Sequence, residues 1–175
     1  MNYTNCSTNR ARLIDEPIVE MLIAKKYAKS GIKFLHSDSQ SDTANSIICS
    51  VNGTNKQLNV KRNASKYWNS NNFTITFYKD NLSVFNNNTF VFIDELANCL
   101  YLVNGIDLLK YLLENIHKAN HSKVGNGYYI IVPKTDIADL ATNNSGDIIK
   151  YSKQIANLFE SNRDETLFAK LFWFT

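Results

Sequence analysis

An Asn-Gly pair between two strand-like runs constrains the fold of this chain more than any other feature. The run from Ser46 to Val51 is rich in β-branched residues, the pair Asn52-Gly53 follows it, and Gln57 to Lys61 forms the second run. Asn-Gly is typical of a two-residue hairpin turn, because both positions of that turn need a positive φ. The sequence therefore predicts an antiparallel hairpin whose second strand ends at Lys61.

Other strands and helices are predicted on both sides of this hairpin. Alternating or β-rich apolar runs predict strands over 32–35, 46–51, 57–61, 73–78, 89–94, 99–103 and 128–132. Apolar residues recur with the helical period over 11–30, 107–119 and 147–159. This order predicts an α/β fold with a mixed central β-sheet flanked by helices. We expect one domain over 1–175, with a core over 11–135 and a C-terminal helical extension over 147–175.

Composition excludes several classes of protein. The chain has 175 residues, of which 44% are hydrophobic and 20% charged, as in an ordinary globular domain. It contains no apolar run of about 18 residues, and its polar N-terminus does not match a secretory signal, so we expect no membrane association. The three cysteines share no close spacing and are expected to be free thiols. Free thiols indicate a reducing compartment, so we predict a cytoplasmic protein. Its 24 asparagines suit AT-rich coding, as in a bacterial or phage-infected cell.

Positive charge is concentrated around the hairpin. The window between Asp42 and Asp80 contains no acidic residue. A local field of one sign favours binding of a polyanion such as DNA. Within this window we expect nucleic-acid contacts from Lys56, Arg62, Lys66 and Trp68, although Trp68 also suits core packing under the loop. Lys25 and Lys29, on the helix that carries Glu20, add further positive charge and either contact phosphates or form an ordinary solvated helix face. In this set the lysines and the arginine would contact phosphates, and the indole would stack on bases.

The segment Leu58-Asn59-Val60-Lys61 resembles a motif strand of the PD-(D/E)XK nuclease superfamily, in its restriction and phage-type members. That strand often reads as an apolar residue, an amide or acid, Val and Lys. A preceding helix that carries Glu20 extends the likeness, which covers roughly residues 11–135. The resemblance implies a restriction-endonuclease-like fold, hydrolysis of DNA phosphodiester bonds with Mg²⁺ (or Mn²⁺), and the possibility of a homodimer.

The same resemblance implies a role for four residues. Glu20, Asp42 and Asn59 would be metal ligands, and Lys61 would be the catalytic lysine. Asn59 stands where Glu, Asp or Gln is usual and contributes no negative charge. The hairpin acid is either Asp42 or the position that Asn45 now occupies. If both charges are missing, the chain is instead a catalytically inactive nuclease-fold protein, acting as a DNA-binding module or a phage-encoded inhibitor of a host defence system.

Each of these positions also has an ordinary structural interpretation. Lys61 and Arg62 at the end of a strand suit solvated surface charges. Glu20 suits the solvent face of an amphipathic helix. Asp42 lies in a Ser/Asp/Thr segment where turn and helix-capping roles are common. The nuclease hypothesis therefore requires that these side chains converge.

Overall fold

A six-stranded mixed sheet forms the centre of the protein, whose computed structural model describes residues 15–35, 46–62, 70–122 and 126–161. The strands of these ranges are β1 (Lys33–Leu35), β2 (Ser46–Val51), β3 (Thr54–Lys61), β4 (Asn72–Phe77), β5 (Asn88–Asp94), β6 (Cys99–Asn104), β7 (Asn120–His121), β8 (Tyr128–Pro133) and β9 (Asp147–Lys150). The helices are α1 (Glu16–Lys26), α2 (Gly105–Glu114), α3 (Lys134–Asn143) and α4 (Lys153–Ser161), with 3-10 turns at Ala28–Ser30, Lys79–Phe85 and Ile116–Lys118.

The strand order of the main sheet is β1-β2-β3-β5-β6-β9, and a second sheet has the order β4-β8-β7. Within the main sheet β3 and β5 run parallel, whereas the other neighbouring strands run antiparallel. The predicted α/β fold with a mixed central sheet flanked by helices is confirmed. Among the described residues, no helix combines the length and the hydropathy needed to cross a membrane.

The predicted hairpin is also confirmed. Asn52 and Gly53 have φ values of 51° and 80°, both in the left-handed region. A two-residue hairpin turn of the Asn-Gly type requires a positive φ at both positions. Val51 pairs with Thr54 directly across this turn, and Ser46 pairs with Asn59 at the far end. The turn therefore fixes which residues of β3 face each side of the sheet.

Two hydrophobic cores lie on opposite faces of the main sheet. The core between the sheets is closed by β4, β8, α2 and α3, and contains Phe73, Phe92, Val103, Leu108 and Ile137. The core under α1 and α4 contains Val19, Ile23, Leu58, Val91 and Phe159. Because neighbouring residues of a strand point to opposite faces, β5 and β6 contribute to both cores.

Helix α1 is shorter than the predicted helix over 11–30. Pro17 lies in its first turn, where a missing backbone N–H costs nothing. After the 3-10 turn, Gly31 ends the segment with a φ of 63°, a left-handed conformation that favours glycine. Residues 11–14 lie outside the described part of the chain.

One predicted helix is partly wrong. The helix expected over 147–159 begins only at Lys153, because residues Asp147–Lys150 form the edge strand β9 beside β6. Gly146 precedes this strand, and the pair Ile148-Ile149 suits a sheet as well as a helix. Pairing with β6 therefore decides the conformation. Helix α3 was not predicted, and the end of the chain beyond residue 161 lies outside the described residues.

Candidate functional site

Charged residues gather where β3 and β5 end. The two strands are parallel neighbours, so their carboxyl ends meet at one edge of the sheet. β3 ends with Lys61 and is followed by Arg62, while β5 ends with Asp94 and is followed by Glu95. Strand alternation sends Lys61 and Asp94 to the face covered by the second sheet. Arg62 and Glu95 lie on the face of α1 and α4, so the edge carries a separate charged group on each face.

Asn59 and Lys61 share a face of β3, because they lie two residues apart on a strand. The Nζ atom of Lys61 is 5.9 Å from the centroid of the Phe90 ring, which belongs to the core between the sheets. Leu58 and Val60 point the opposite way, into the core under α1 and α4. The structure therefore brings together the two central residues of the predicted motif.

The amide of Asn59 is buried without a complete set of partners. The residue is 8% exposed, and its Nδ2 atom has no hydrogen-bond partner within the ranges that the structure describes. An unpaired buried N–H group costs about 1–3 kcal/mol of stability, and native proteins contain few of them. Within the described ranges Asn59 is thus unfavourable for folding, and an acceptor from outside the chain could reach its Nδ2 atom only if the groups that cover this atom moved.

Lys61 is half-buried at the end of the same strand. Burial lowers the pKa of its ammonium group below the ordinary value for lysine. Within the described ranges its assigned contact is with the ring of Phe90 rather than with a carboxylate. A charge with a reduced water shell interacts more strongly with an opposite charge, because the local dielectric constant is lower. This ammonium is therefore suited to holding an anion.

Asp94 lies on the same face and already has its own partners. Its Oδ1 atom is 2.7 Å from Nζ of Lys134, and the two side chains are 5% and 11% exposed. The hydroxyl of Tyr101 donates to Oδ2 at 3.4 Å, and the backbone N–H groups of Leu96 and Ala97 donate to Oδ1. Burial and the charge of Asp94 raise the pKa of Tyr101 to about 12. Both oxygens of this carboxylate therefore already accept hydrogen bonds from within the chain.

Arg62 is a structural cation rather than a surface contact. Its guanidinium donates to Asp15 at 2.6 Å and to the carbonyl of Phe159 at 3.0 Å, and it forms an ion pair with Glu95. Only 12% of its side chain is exposed. We therefore do not retain Arg62 among the predicted nucleic-acid contacts, because its charge is committed to joining β3 to α1, α4 and the β5–β6 turn.

The structure does not bring Glu20 to the Asn59–Lys61 pair. Glu20 lies on α1, whose residues Val19 and Ile23 pack into the opposite core, so the main sheet lies between them. Asp42 and Asn45, the two candidates for the hairpin acid, lie outside the described residues. Within the described ranges, no group of three or more His, Cys, Asp or Glu side chains is placed to hold a metal ion.

The predicted basic residues are divided between the two faces. Lys25 and Lys29 are exposed near the end of α1. Lys56 has the same strand parity as Leu58 and lies on the same side as α1, whereas Lys61 faces the other way. Lys66 and Trp68 lie outside the described residues. The described lysines therefore do not form one continuous surface.

Three residues of this edge were missed by sequence reasoning. Asp94 and Glu95 directly follow the buried run Phe90–Ile93, and an acidic pair at the end of a buried strand is a local signal that could have identified them. Lys134 carries no such signal, because it reaches Asp94 across 40 residues through the pairing of β4 with β8.

Comparison with known proteins gives one structural similarity. No family model matches the chain, and no curated protein matches it. A solved nuclease from a fusselovirus is similar in structure, with a TM-score of 0.39 and 9% sequence identity, over 82% of this chain and 86% of that chain. Similarity at this level assigns no role to any residue, and membership of the PD-(D/E)XK superfamily stays a prediction.

Proposed function

We propose that this chain is a nuclease-like protein that binds DNA, and that a backbone phosphate is held at the Asn59–Lys61 pair where β3 ends. The observation that carries the proposal is the half-buried ammonium of Lys61, whose contact within the described residues is an aromatic ring. The Nδ2 atom of Asn59, buried and unpaired within the described residues, would become a second donor if phosphate binding uncovered it. Both groups are hydrogen-bond donors, and they lie on one face about 7 Å apart along the strand. A phosphate offers several negatively charged acceptor oxygens to such donors.

The described residues fit an anion better than a metal ion. Mg²⁺ prefers oxygen ligands, chiefly carboxylates. Asn59 contributes a neutral amide, Glu20 lies on the other side of the sheet, and both oxygens of Asp94 already have donors. The described members of the predicted ligand set therefore do not fit Mg²⁺ or Mn²⁺. Binding of phosphate does not require the ion.

DNA binding can be tested by fluorescence anisotropy with a labelled duplex over a series of salt concentrations. Lys61→Met should weaken binding and reduce the slope of log affinity against log salt by about one unit, as for one lost phosphate contact. Lys110→Met is a matched control, because that lysine is 70% exposed on α2 and away from β3. Equal affinities for the two variants, or no binding by the wild type at low salt, would refute the proposal.

Asn59→Leu provides a second and sharper test. Removing an unpaired buried amide should leave the protein as stable as the wild type or more stable, while removing one of the two phosphate donors. We expect higher resistance to urea together with weaker DNA binding. A variant that unfolds more easily would instead show that Asn59 supports the fold.

Metal-dependent hydrolysis is the second candidate function, and the position of Lys61 favours it. Because the described members of the ligand set do not fit the ion, this function requires carboxylates from outside the described residues. A desolvated lysine at the end of a strand can stabilise the charge that develops on a phosphate during hydrolysis. Supercoiled plasmid incubated with the protein and Mg²⁺ or Mn²⁺ should then be nicked, and Lys61→Met should abolish nicking. Asn59→Asp should increase it, because a carboxylate replaces the neutral amide. If the wild type and the Asn59→Asp variant both bind DNA but neither nicks it, the protein is a non-catalytic binding module.

A further inference from the structure

A cavity of about 320 Å³ lies under α1, on the side of the main sheet opposite Asn59 and Lys61. Its apolar lining includes Ile23 from α1, Leu58 from β3 and Leu102 from β6. Ligand pockets in proteins are mostly apolar, contain a few polar groups, and begin near this volume. The cavity is therefore large enough for a small molecule and is separate from the proposed phosphate site.

One side of the cavity is closed by a connection between α1 and β9. The hydroxyl of Tyr27 donates to Oδ2 of Asp147, and Nζ of Lys26 lies 3.5 Å from the same carboxylate. Gly146 lies against β6 so closely that an added Cβ would be 2.3 Å from the carbonyl oxygen of Leu102. Since a side chain at residue 146 would displace this loop, glycine allows the wall to close.

The charges around the cavity are not balanced. The carboxylate of Asp147 accepts hydrogen bonds from the hydroxyl of Tyr27 and, at 2.7 Å, from the backbone N–H of Ile148. Its negative charge is therefore already compensated by groups of the cavity wall. Lys56 lies at the exposed side of the lining, and no ion pair is assigned to it within the described ranges. Cys49 and Lys56 are paired across β2 and β3, and both line the cavity. A positive charge therefore stands beside an apolar interior.

We propose that this cavity binds a small aliphatic monocarboxylate, with its hydrocarbon chain among Ile23, Leu58 and Leu102 and its carboxylate paired with Lys56. Burial of each methylene group stabilises the complex, and pairing of the carboxylate with the ammonium selects an anion over a neutral or cationic head group. The ligand class follows from the combination of an apolar interior with one cation whose charge the described residues leave uncompensated.

Isothermal titration calorimetry with octanoate, octanol and octylamine tests the proposal. We expect saturable binding of octanoate and binding of the other two ligands at least about tenfold weaker, as for the loss of one charge-assisted hydrogen bond. Lys56→Met should weaken octanoate binding by a similar factor. Lys33→Met should not, because that lysine is exposed on β1 and does not line the cavity.

A filling variant locates the site. Val51 is half-buried in the cavity lining, so Val51→Trp can occupy the space without removing a fully buried side chain. Loss of octanoate binding in this variant, with a circular dichroism spectrum like that of the wild type, supports the assignment. Octanol binding as tight as octanoate, equal binding by the Lys56→Met and Lys33→Met variants, or the absence of saturable octanoate binding would overturn it.

Discussion

Replacing Arg62 with methionine should destabilise the protein strongly. The guanidinium is the shared partner of Asp15 and Glu95, whose side chains are only 3% and 7% exposed. Methionine keeps much of the length of the side chain, but it removes the charge and the contact of the guanidinium with the Phe159 ring. The substitution therefore removes a cation that compensates two carboxylates with little access to water.

The magnitude follows from this burial. Removing one partner of a buried ion pair costs about 3–5 kcal/mol, because the remaining charge stays desolvated. For a chain of this length, that loss corresponds to a decrease in melting temperature of roughly 6–20 °C. The Lys110–Asp107 pair provides a matched comparison, since its atoms are 3.8 Å apart and the lysine is 70% exposed. Lys110→Met should cost less than about 1 kcal/mol.

Urea denaturation followed by circular dichroism measures both losses. The triple variant Arg62→Met, Asp15→Asn, Glu95→Gln should recover part of the stability lost in Arg62→Met, because the two carboxylates that Arg62 compensates become neutral. A loss below about 1 kcal/mol for Arg62→Met, or equal losses for the Arg62 and Lys110 variants, would refute the assignment of a buried ion network at the end of β3.

Three further substitutions have defined outcomes. Burial lowers the pKa of Lys61 in the folded protein, so the unfolded chain binds more protons only between this lowered pKa and about pH 10.4. Below that window the cost of burying the charged lysine is fully present. Lys61→Met should therefore be more stable than the wild type at pH 7 in urea titrations, with the difference in stability narrowing as pH approaches about 10.4. The pKa of Asp147 is lowered, because burial, which would raise it, is outweighed by hydrogen bonds from Tyr27 and the backbone. The ionised carboxylate therefore stabilises the folded protein above about pH 4, and this stabilisation is lost in acid. Tyr27→Phe should therefore lower the free energy of unfolding by about 1–2 kcal/mol at pH 7 and by less below pH 4. A loss of stability that does not depend on pH would contradict a hydrogen bond from Tyr27 to the ionised Asp147. Gly105→Ala should cost about 1–3 kcal/mol in urea, because its Cβ would lie 2.1 Å from the carbonyl oxygen of Phe85.

Local chemistry made the central part of the fold predictable. The hairpin depends on Asn52 and Gly53, whose positive φ values are a property of the turn itself. Strand alternation then determines that Asn59 and Lys61 share a face. These features need no knowledge of distant residues, so the sequence alone was enough to predict them.

Features that depend on distant pairing were not predictable in the same way. The segment Asp147–Lys150 carries isoleucines that suit a helix as well as a strand, and it is a strand because it pairs with β6. Likewise, the pattern of α1 shows that Glu20 adjoins an apolar stripe, but not which face of the sheet that stripe covers. The packing of α1 therefore separates residues that the motif resemblance had grouped.

The route of the chain after β3 has a consequence for how the protein folds. The chain leaves the main sheet at Lys61, contributes β4 to the second sheet, and returns as β5 parallel to β3. The partner of β4 in the second sheet is β8, which lies more than 50 residues later in the chain. Because each sheet is interrupted by a part of the other, we expect both to assemble in one cooperative and comparatively slow step, and to melt together.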